Sequence, residues 1–174
     1  MQAVYELARN IRLMIFDVDG VLTDGSLFLG DDGQEYKAFH SLDGHGIKML
    51  KNSGVEIAII TGRTSKVVTH RAQNLGITYL YQGVHDKLEA FQHLTEKLGI
   101  RFEQCAFMGD DVVDLPAMRR CGLSLTVPQA PDRVKQHAHY VTLKEGGRGA
   151  AREVCELIMQ AQDTLEAQLS VYLK

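Results

Sequence analysis

Five short β-rich runs, separated by segments of helical period, limit what this chain can fold into more than any other feature. They are RLMIFD (12–17), VEIAII (55–60), ITYLYQ (77–82), CAFMGD (105–110) and LSLTVP (123–128). Near-continuous apolar runs of this length suit strands buried on both faces, and the segments between them are long enough for the crossovers that parallel strands need. Between residues 86 and 98, Leu88, Phe91, Leu94 and Leu98 recur at three- and four-residue steps before Gly99, which predicts an amphipathic helix closed by a glycine. Helices are also expected over 43–53, 64–75, 111–121 and 149–162, with Asp43 as the N-cap of the first. The fold class that follows is α/β, a doubly wound, Rossmann-like parallel sheet flanked by helices.

One segment breaks the alternation. SLFLGDDGQEYKAFH (26–40) has two strand-like halves around Asp32-Gly33, a hairpin signal placed inside the crossover after strand one. Leu27, Phe28, Leu29, Tyr36 and Phe39 give it more apolar surface than a free ribbon can bury, so it is expected to be an oligomer contact. No linker, repeat or low-complexity tract divides the chain, and one domain over 1–174 is expected.

Composition removes several function classes. A net charge of −3 with scattered basic residues gives no pull toward nucleic acid or an acidic membrane. Cys105, Cys121 and Cys155 are an odd, widely spaced set without a CxxC pair, which reads as reduced packing residues. Glu6, Arg9 and Arg12 interrupt the stretch where a signal peptide would be unbroken and apolar, and the later apolar runs are too short to span a bilayer. A cytoplasmic, soluble chain is expected.

In an open α/β sheet, ligands bind beyond the carboxyl ends of the strands. The first run ends in Asp17 and Asp19, the second in Thr61, Gly62 and Arg63, and the fourth in Gly109, Asp110, Asp111 and Asp114, while Lys87 opens the helix after the third. So many carboxylates at one edge need a cation among them, because two like charges at about 4 Å repel by roughly 4 kcal/mol at an effective dielectric near 20. Oxygen ligands without Cys or His suit a hard ion, and Mg²⁺ fits better than Ca²⁺ where room is left for water and a phosphate. A metal, a lysine and a hydroxyl around an aspartate nucleophile are the equipment of phosphoryl transfer.

DVDGVLTD (17–24), TGR (61–63), Lys87 and GDDVVD (109–114), in this order, resemble the four motifs of the haloacid dehalogenase-like phosphatase superfamily. The resemblance implies that Asp17 is the nucleophile and that Asp19 protonates the leaving alkoxide and then activates water. It also implies that Asp17, the main-chain carbonyl of Asp19, and Asp110 hold Mg²⁺. Thr61 would bind a phosphoryl oxygen, Lys87 would steady nucleophile and phosphate, and Asp111 and Asp114 would support them. DGVLTDG followed at once by a hairpin, HSLDGHGIKML (40–50) and GGRGAAREVCELIM (146–159) make the chain similar to a subfamily without a cap domain. Its substrates are sugar-acid phosphates, an octulosonate 8-phosphate ahead of a nonulosonate 9-phosphate, and it supplies lipopolysaccharide synthesis. That likeness further implies a homotetramer built through the hairpins, with each C-terminal segment approaching a neighbouring active site.

Two arginines complete the expected site. Arg63 suits either an ion pair with a nearby carboxylate or the carboxylate of a substrate, and Arg148, among Gly146, Gly147 and Gly149 on a backbone read as mobile, offers a bidentate anion contact to a neighbour's cleft. A phospho-accepting receiver module would share the acidic residues, Thr and Lys but in a different order along the chain. A carbon-halogen hydrolase would have no use for Asp19, since departing halide needs no proton. His40, Asp43 and His45, and the pair His137 and His139, lack the ligand set of a zinc site.

Overall fold

The computed structural model describes residues 1–174. In chain order the elements are α1 (Gln2–Ala8), β1 (Leu13–Phe16), β2 (Phe28–Leu29), β3 (Glu35–Tyr36), α2 (Ser41–Asn52), β4 (Glu56–Ile60), α3 (Lys66–Leu75) and β5 (Tyr79–Tyr81). There follow α4 (Lys87–Leu98), β6 (Cys105–Met108), α5 (Leu115–Met118), β7 (Leu123–Thr126), α6 (Asp132–Lys135), β8 (Tyr140–Val141), α7 (Ala150–Ala161) and α8 (Leu165–Ser170). Six strands form one sheet in the order β5-β4-β1-β6-β7-β8, and each pairing is parallel. The expected α/β class is the one found.

The four residues of β1 are all buried, as are those of β6 and β7, because helices cover both faces of the sheet. One layer gathers α1, α2, α3 and α7, and α4 packs with α5. Phe16, Phe91 and Phe107 fill the centre, with Phe91 and Phe107 ring centroids 6.1 Å apart. Chain order reverses about β1: β4 and β5 extend the sheet one way, and β6, β7 and β8 the other. Loops leaving β1 and β6 therefore diverge, and the crevice between them lies where such sheets bind ligands.

The hairpin forms as expected, with β2 and β3 antiparallel and Phe28 opposite Tyr36. Asp32 accepts the Gln34 N–H at 3.0 Å, and Gly33 takes the positive φ of 78° that the turn requires. Leu27, Phe28, Leu29 and Tyr36 are exposed. Phe39 differs from expectation. It packs against the core under the Arg71 guanidinium, 5.4 Å from the ring, so the open apolar face is narrower than the composition implied.

Asp43 does not cap its helix. His40 is the N-cap of α2, its Nδ1 accepting the Leu42 N–H at 3.3 Å. Asp43 is buried one turn later and accepts the main-chain N–H groups of Gly149 and Arg152, at 3.3 and 2.9 Å. It thus satisfies free donors at the start of α7 and ties that helix to α2. The helix expected over 111–121 is broken into a single 3₁₀ turn, Val112–Asp114, and the short α5, whose Pro116 sits at a first-turn position where its missing N–H is tolerated. No helix is long and apolar enough to cross a membrane.

Candidate active site

The strand-end residues line a cleft of about 480 Å³: Asp17, Asp19, Thr61, Gly62, Arg63, Lys87, Asp110 and Asp111, with His85 and the main chain around Gly25. Asp17 follows β1 directly and its N–H donates to the Met108 carbonyl at 3.0 Å, so it is fixed to β6 before its side chain is considered. Its Oδ1 accepts the Val18 N–H at 2.7 Å, and its Oδ2 lies 2.9 Å from the Lys87 ammonium. Lys87 is almost fully buried, the first residue of α4, and is placed there because Asp86 caps the helix by accepting the N–H groups of Leu88 and Glu89.

Asp114 sits behind these groups, wholly buried, with each oxygen engaged. Its Oδ1 accepts from Lys87 at 2.5 Å, and its Oδ2 accepts the Asp110 and Asp111 N–H groups at 3.0 and 3.1 Å. That carboxylate folds the loop after β6 and aims the next two side chains. Asp111 caps the 3₁₀ turn by accepting the Val112 N–H at 2.7 Å. Asp110 is held by no protein cation or donor, and it faces Gly20 so closely that a side chain there would occupy the place of its carboxylate. Only glycine serves at that position, which also needs a φ of 87°.

Carboxylate oxygens of Asp17, Asp110 and Asp114 lie within 4.8 Å of one another. Burial, and then the neighbouring Asp114, raise Asp17 to about 6, although Lys87 and the Val18 N–H oppose the rise. Asp110 rises to about 7, through burial and then repulsion from Asp17, Asp114 and Asp111. Burial would lower the pKa of Lys87, but Asp17 and Asp114 outweigh it and hold it above its ordinary value. Three crowded carboxylates against one ammonium leave a deficit of positive charge, and their donors are all oxygen. That set fits a hard divalent cation. Asp17 and Asp110 have accepting capacity to spare, whereas Asp114 has spent its own.

Thr61 is buried at the end of β4, with its N–H donating to the Tyr81 carbonyl at 2.9 Å. Arg63 is half exposed, and the ion pair is the option it takes here: 2.9 Å to Glu35 and 3.8 Å to Asp19. Arg148 does not line this cleft. Its guanidinium is 3.6 Å from Asp24 on the surface. Nor is its glycine-rich segment loose, because the Gly147 N–H donates to the Val21 carbonyl at 2.9 Å and Gly146 packs on the Gly20 backbone too tightly for a Cβ. These glycines allow close approach of two backbones, rather than the mobility read from the sequence.

Lys37 and Glu35, which no motif in the sequence marks, reach Asp19 and Arg63 at the cleft edge from the hairpin. Lys37 Nζ lies 2.5 Å from Asp19 and 3.1 Å from Glu35, with its side chain 1% exposed. A signal existed in the period of two, since Glu35, Lys37 and Phe39 alternate with the exposed Tyr36 and Ala38 and so face inward together.

Comparison with known proteins agrees with this fold. The profile of haloacid dehalogenase-like hydrolases matches residues 30–122. The chain is 52% identical over 163 residues to the 3-deoxy-D-manno-octulosonate 8-phosphate phosphatase of Yersinia pestis, covering 94% of this chain and 87% of that one. Its fold superposes with a TM-score of 0.97 and 45% identity on the corresponding phosphatase from Moraxella catarrhalis, solved with magnesium, phosphate and the sugar acid KDO, over 99% of both chains. A probable YrbI-family phosphatase from Pseudomonas syringae superposes with a TM-score of 0.99 at 51% identity, over 100% of this chain and 99% of that one. With identity of this order running nearly end to end, the chain belongs to the haloacid dehalogenase-like hydrolases, within their family of 3-deoxy-D-manno-octulosonate 8-phosphate phosphatases.

Proposed function

We propose that the chain is a Mg²⁺-dependent phosphomonoesterase that hydrolyses 3-deoxy-D-manno-octulosonate 8-phosphate to the free sugar acid and phosphate. The observation that carries this reading is the setting of Asp17: a carboxylate at the floor of an open cleft, 2.9 Å from a buried lysine and beside an unpaired Asp110. The names of its relatives supply the substrate.

In the first half of the reaction an Asp17 oxygen attacks phosphorus in line with the ester oxygen. The P–O bond to the sugar breaks, and Asp19 gives its proton to the departing alkoxide, leaving an aspartyl-phosphate on Asp17. Asp19, now a carboxylate, takes a proton from water as that water attacks phosphorus, which frees phosphate and restores Asp17. Lys87 and Thr61 hold the phosphoryl oxygens and limit motion of the nucleophile. Asp17, Asp110 and the main-chain carbonyl of Asp19 would hold Mg²⁺, which when bound supplies charge neutralisation between the carboxylates and the phosphoryl group. Asp114 fixes Lys87 and the Asp110 loop, and Asp111 holds the turn that follows. Arg63 can exchange Glu35 for the substrate carboxylate, because its guanidinium is only half covered.

The same proposal extends to assembly and setting. The exposed Leu27, Phe28, Leu29 and Tyr36 support a homotetramer joined through the hairpins, and Arg148 on the surface is free to meet a neighbour's cleft. Three unpaired buried cysteines accord with the cytoplasm, where the product would feed lipopolysaccharide synthesis. A phosphate-release screen over sugar phosphates and keto-sugar-acid phosphates with Mg²⁺, using Asp17→Asn as the blank, tests the reading. Preference for the octulosonate 8-phosphate supports it, preference for a nonulosonate 9-phosphate reassigns the substrate, and equal release by the Asp17→Asn enzyme removes the nucleophile.

A further inference from the structure

The hairpin places a charged side chain against Asp19 in the cleft wall, and the chemistry above gives that side chain nothing to do. Lys37 projects inward from the end of β3 and its Nζ meets Asp19 Oδ1 at 2.5 Å, although 18 residues separate the two. On its other side the same ammonium meets Glu35 at 3.1 Å. Glu35 continues to Arg63 Nη2 at 2.9 Å, and Arg63 Nε returns to Asp19 Oδ2 at 3.8 Å. Cations and carboxylates therefore alternate around a closed ring of four, in which Lys37 is the most enclosed member, its side chain 1% exposed against 46% for Arg63.

Asp19 has few other restraints. It follows β1 on an exposed-edged turn and no main-chain N–H holds its carboxylate, unlike Asp17, which has Val18, or Asp114, which has two such donors. A lysine ordinarily keeps its ammonium in water, so enclosing one beside Asp19 requires well-made partners in return. We infer that Lys37 is a positioning residue for Asp19, fixing the rotamer from which that carboxyl serves the leaving group, and that the hairpin insertion thereby helps to build the active site of its own chain. The inference rests on the proposed role of Asp19 and deepens it. Arg63 is the weaker restraint on the same carboxylate, at a longer distance, and is available to turn toward substrate without releasing Asp19.

A misplacement of about 1 Å in a reacting group can cost on the order of 100-fold in rate. The test compares an alkyl phosphate, whose departing alkoxide needs a proton, with 4-nitrophenyl phosphate, whose phenolate leaves without one. kcat/KM reads the step in which the leaving group departs. Lys37→Met is expected to lower kcat/KM for the alkyl ester by about 10- to 100-fold and for the aryl ester by less than about threefold. Lys37→Arg, which keeps the charge, is expected to recover part of the loss. Glu35→Gln, which releases the far side of Lys37 while leaving the Asp19 contact, gives the same selective pattern at smaller size and serves if Lys37→Met does not fold. Equal losses on both esters, for whichever of these two variants folds, overturn the positioning role, because a lower folded fraction moves both alike. Asp19→Asn run beside them separates the two readings. If it is not selective for the alkyl ester, the acid role itself falls; if it is selective and the Lys37 and Glu35 variants are not, only the present inference falls.

Discussion

Asp110→Asn is expected to stabilise the metal-free protein at neutral pH and to do little in acid. The Asp110 carboxyl is pushed from an ordinary 3.8 to about 7, first by burial and then by Asp17, Asp114 and Asp111. A raised carboxyl binds its proton more tightly in the folded chain than in the unfolded one. The stability it confers is therefore complete below about pH 4 and is lost as pH rises through 7. At roughly 1.4 kcal/mol per pH unit, the rise corresponds to about 4 kcal/mol of destabilisation once the group is ionised. Asparagine keeps part of the burial cost but none of the charge repulsion, so a gain of about 2 kcal/mol or more is expected at pH 8. For a chain of this size a gain of about 2 kcal/mol moves the melting temperature by about 4–8 °C. Thermal unfolding of both proteins in EDTA at pH 4.5 and pH 8 reads it. Saturating Mg²⁺ should then reverse the order at pH 8, since a ligand at 100 times its Kd adds about 2.7 kcal/mol to the protein that binds it. A variant no more stable than the parent at pH 8 in EDTA, or equally more stable at both pH values, would refute the charge argument for a cation at this site.

Chelation should abolish phosphate release and added Mg²⁺ should restore it, whereas full turnover in a metal-stripped sample would remove the metal from the proposal. Light scattering at micromolar concentration should find an oligomer, and Leu29→Lys, on the exposed hairpin face, should shift it toward monomer without unfolding the core; a monomeric parent would leave the hairpin face without its assigned contact. Arg148→Ala should lower kcat/KM for the sugar-acid phosphate much more than for a small phosphomonoester, by about 10-fold or more if it meets the substrate carboxylate. Mixing Asp17→Asn with Arg148→Ala subunits should restore part of the lost activity if that arginine acts on a neighbour, and no recovery after verified subunit exchange would remove the in-trans role.

What the sequence disclosed follows from what it encodes locally. Strands covered on both faces must be apolar throughout, so β1, β4, β6 and β7 stand out as runs, and the residues that end them mark the cleft. β8 is two half-buried residues at the sheet edge, too short for any period to register, and α1 begins at Gln2 after Met1, whose side chain makes no cap to announce it. Asp43 misled because a carboxylate just ahead of a helical glycine looks like a cap, while its actual partners lie over a hundred residues away at the start of α7. The glycines at 146 and 147 carried the same ambiguity: sequence shows that a side chain is missing, and only packing shows that the Gly20–Thr23 backbone fills the space. Lys37 was hidden differently, as one lysine among 19 basic residues, and its importance depends on a hairpin folding back over the strand end.

Asp17 and Asp110 stand just past two strands joined rung by rung, from Leu13 with Cys105 to Phe16 with Met108. Neighbouring strands keep about 4.8 Å between them because amide geometry allows little else. The spacing of the two strand ends is thus gauged by peptide backbone, and the Asp114 carboxylate sets the Asp110 loop upon it. Methylenes gained or lost in the surrounding core act first on how many molecules are folded at a given moment, and reach this spacing only where they shift the β1–β6 pairing. Any interior that keeps those four rungs keeps the same distance between the ends of β1 and β6, the ruler being common to every sequence that forms the pair.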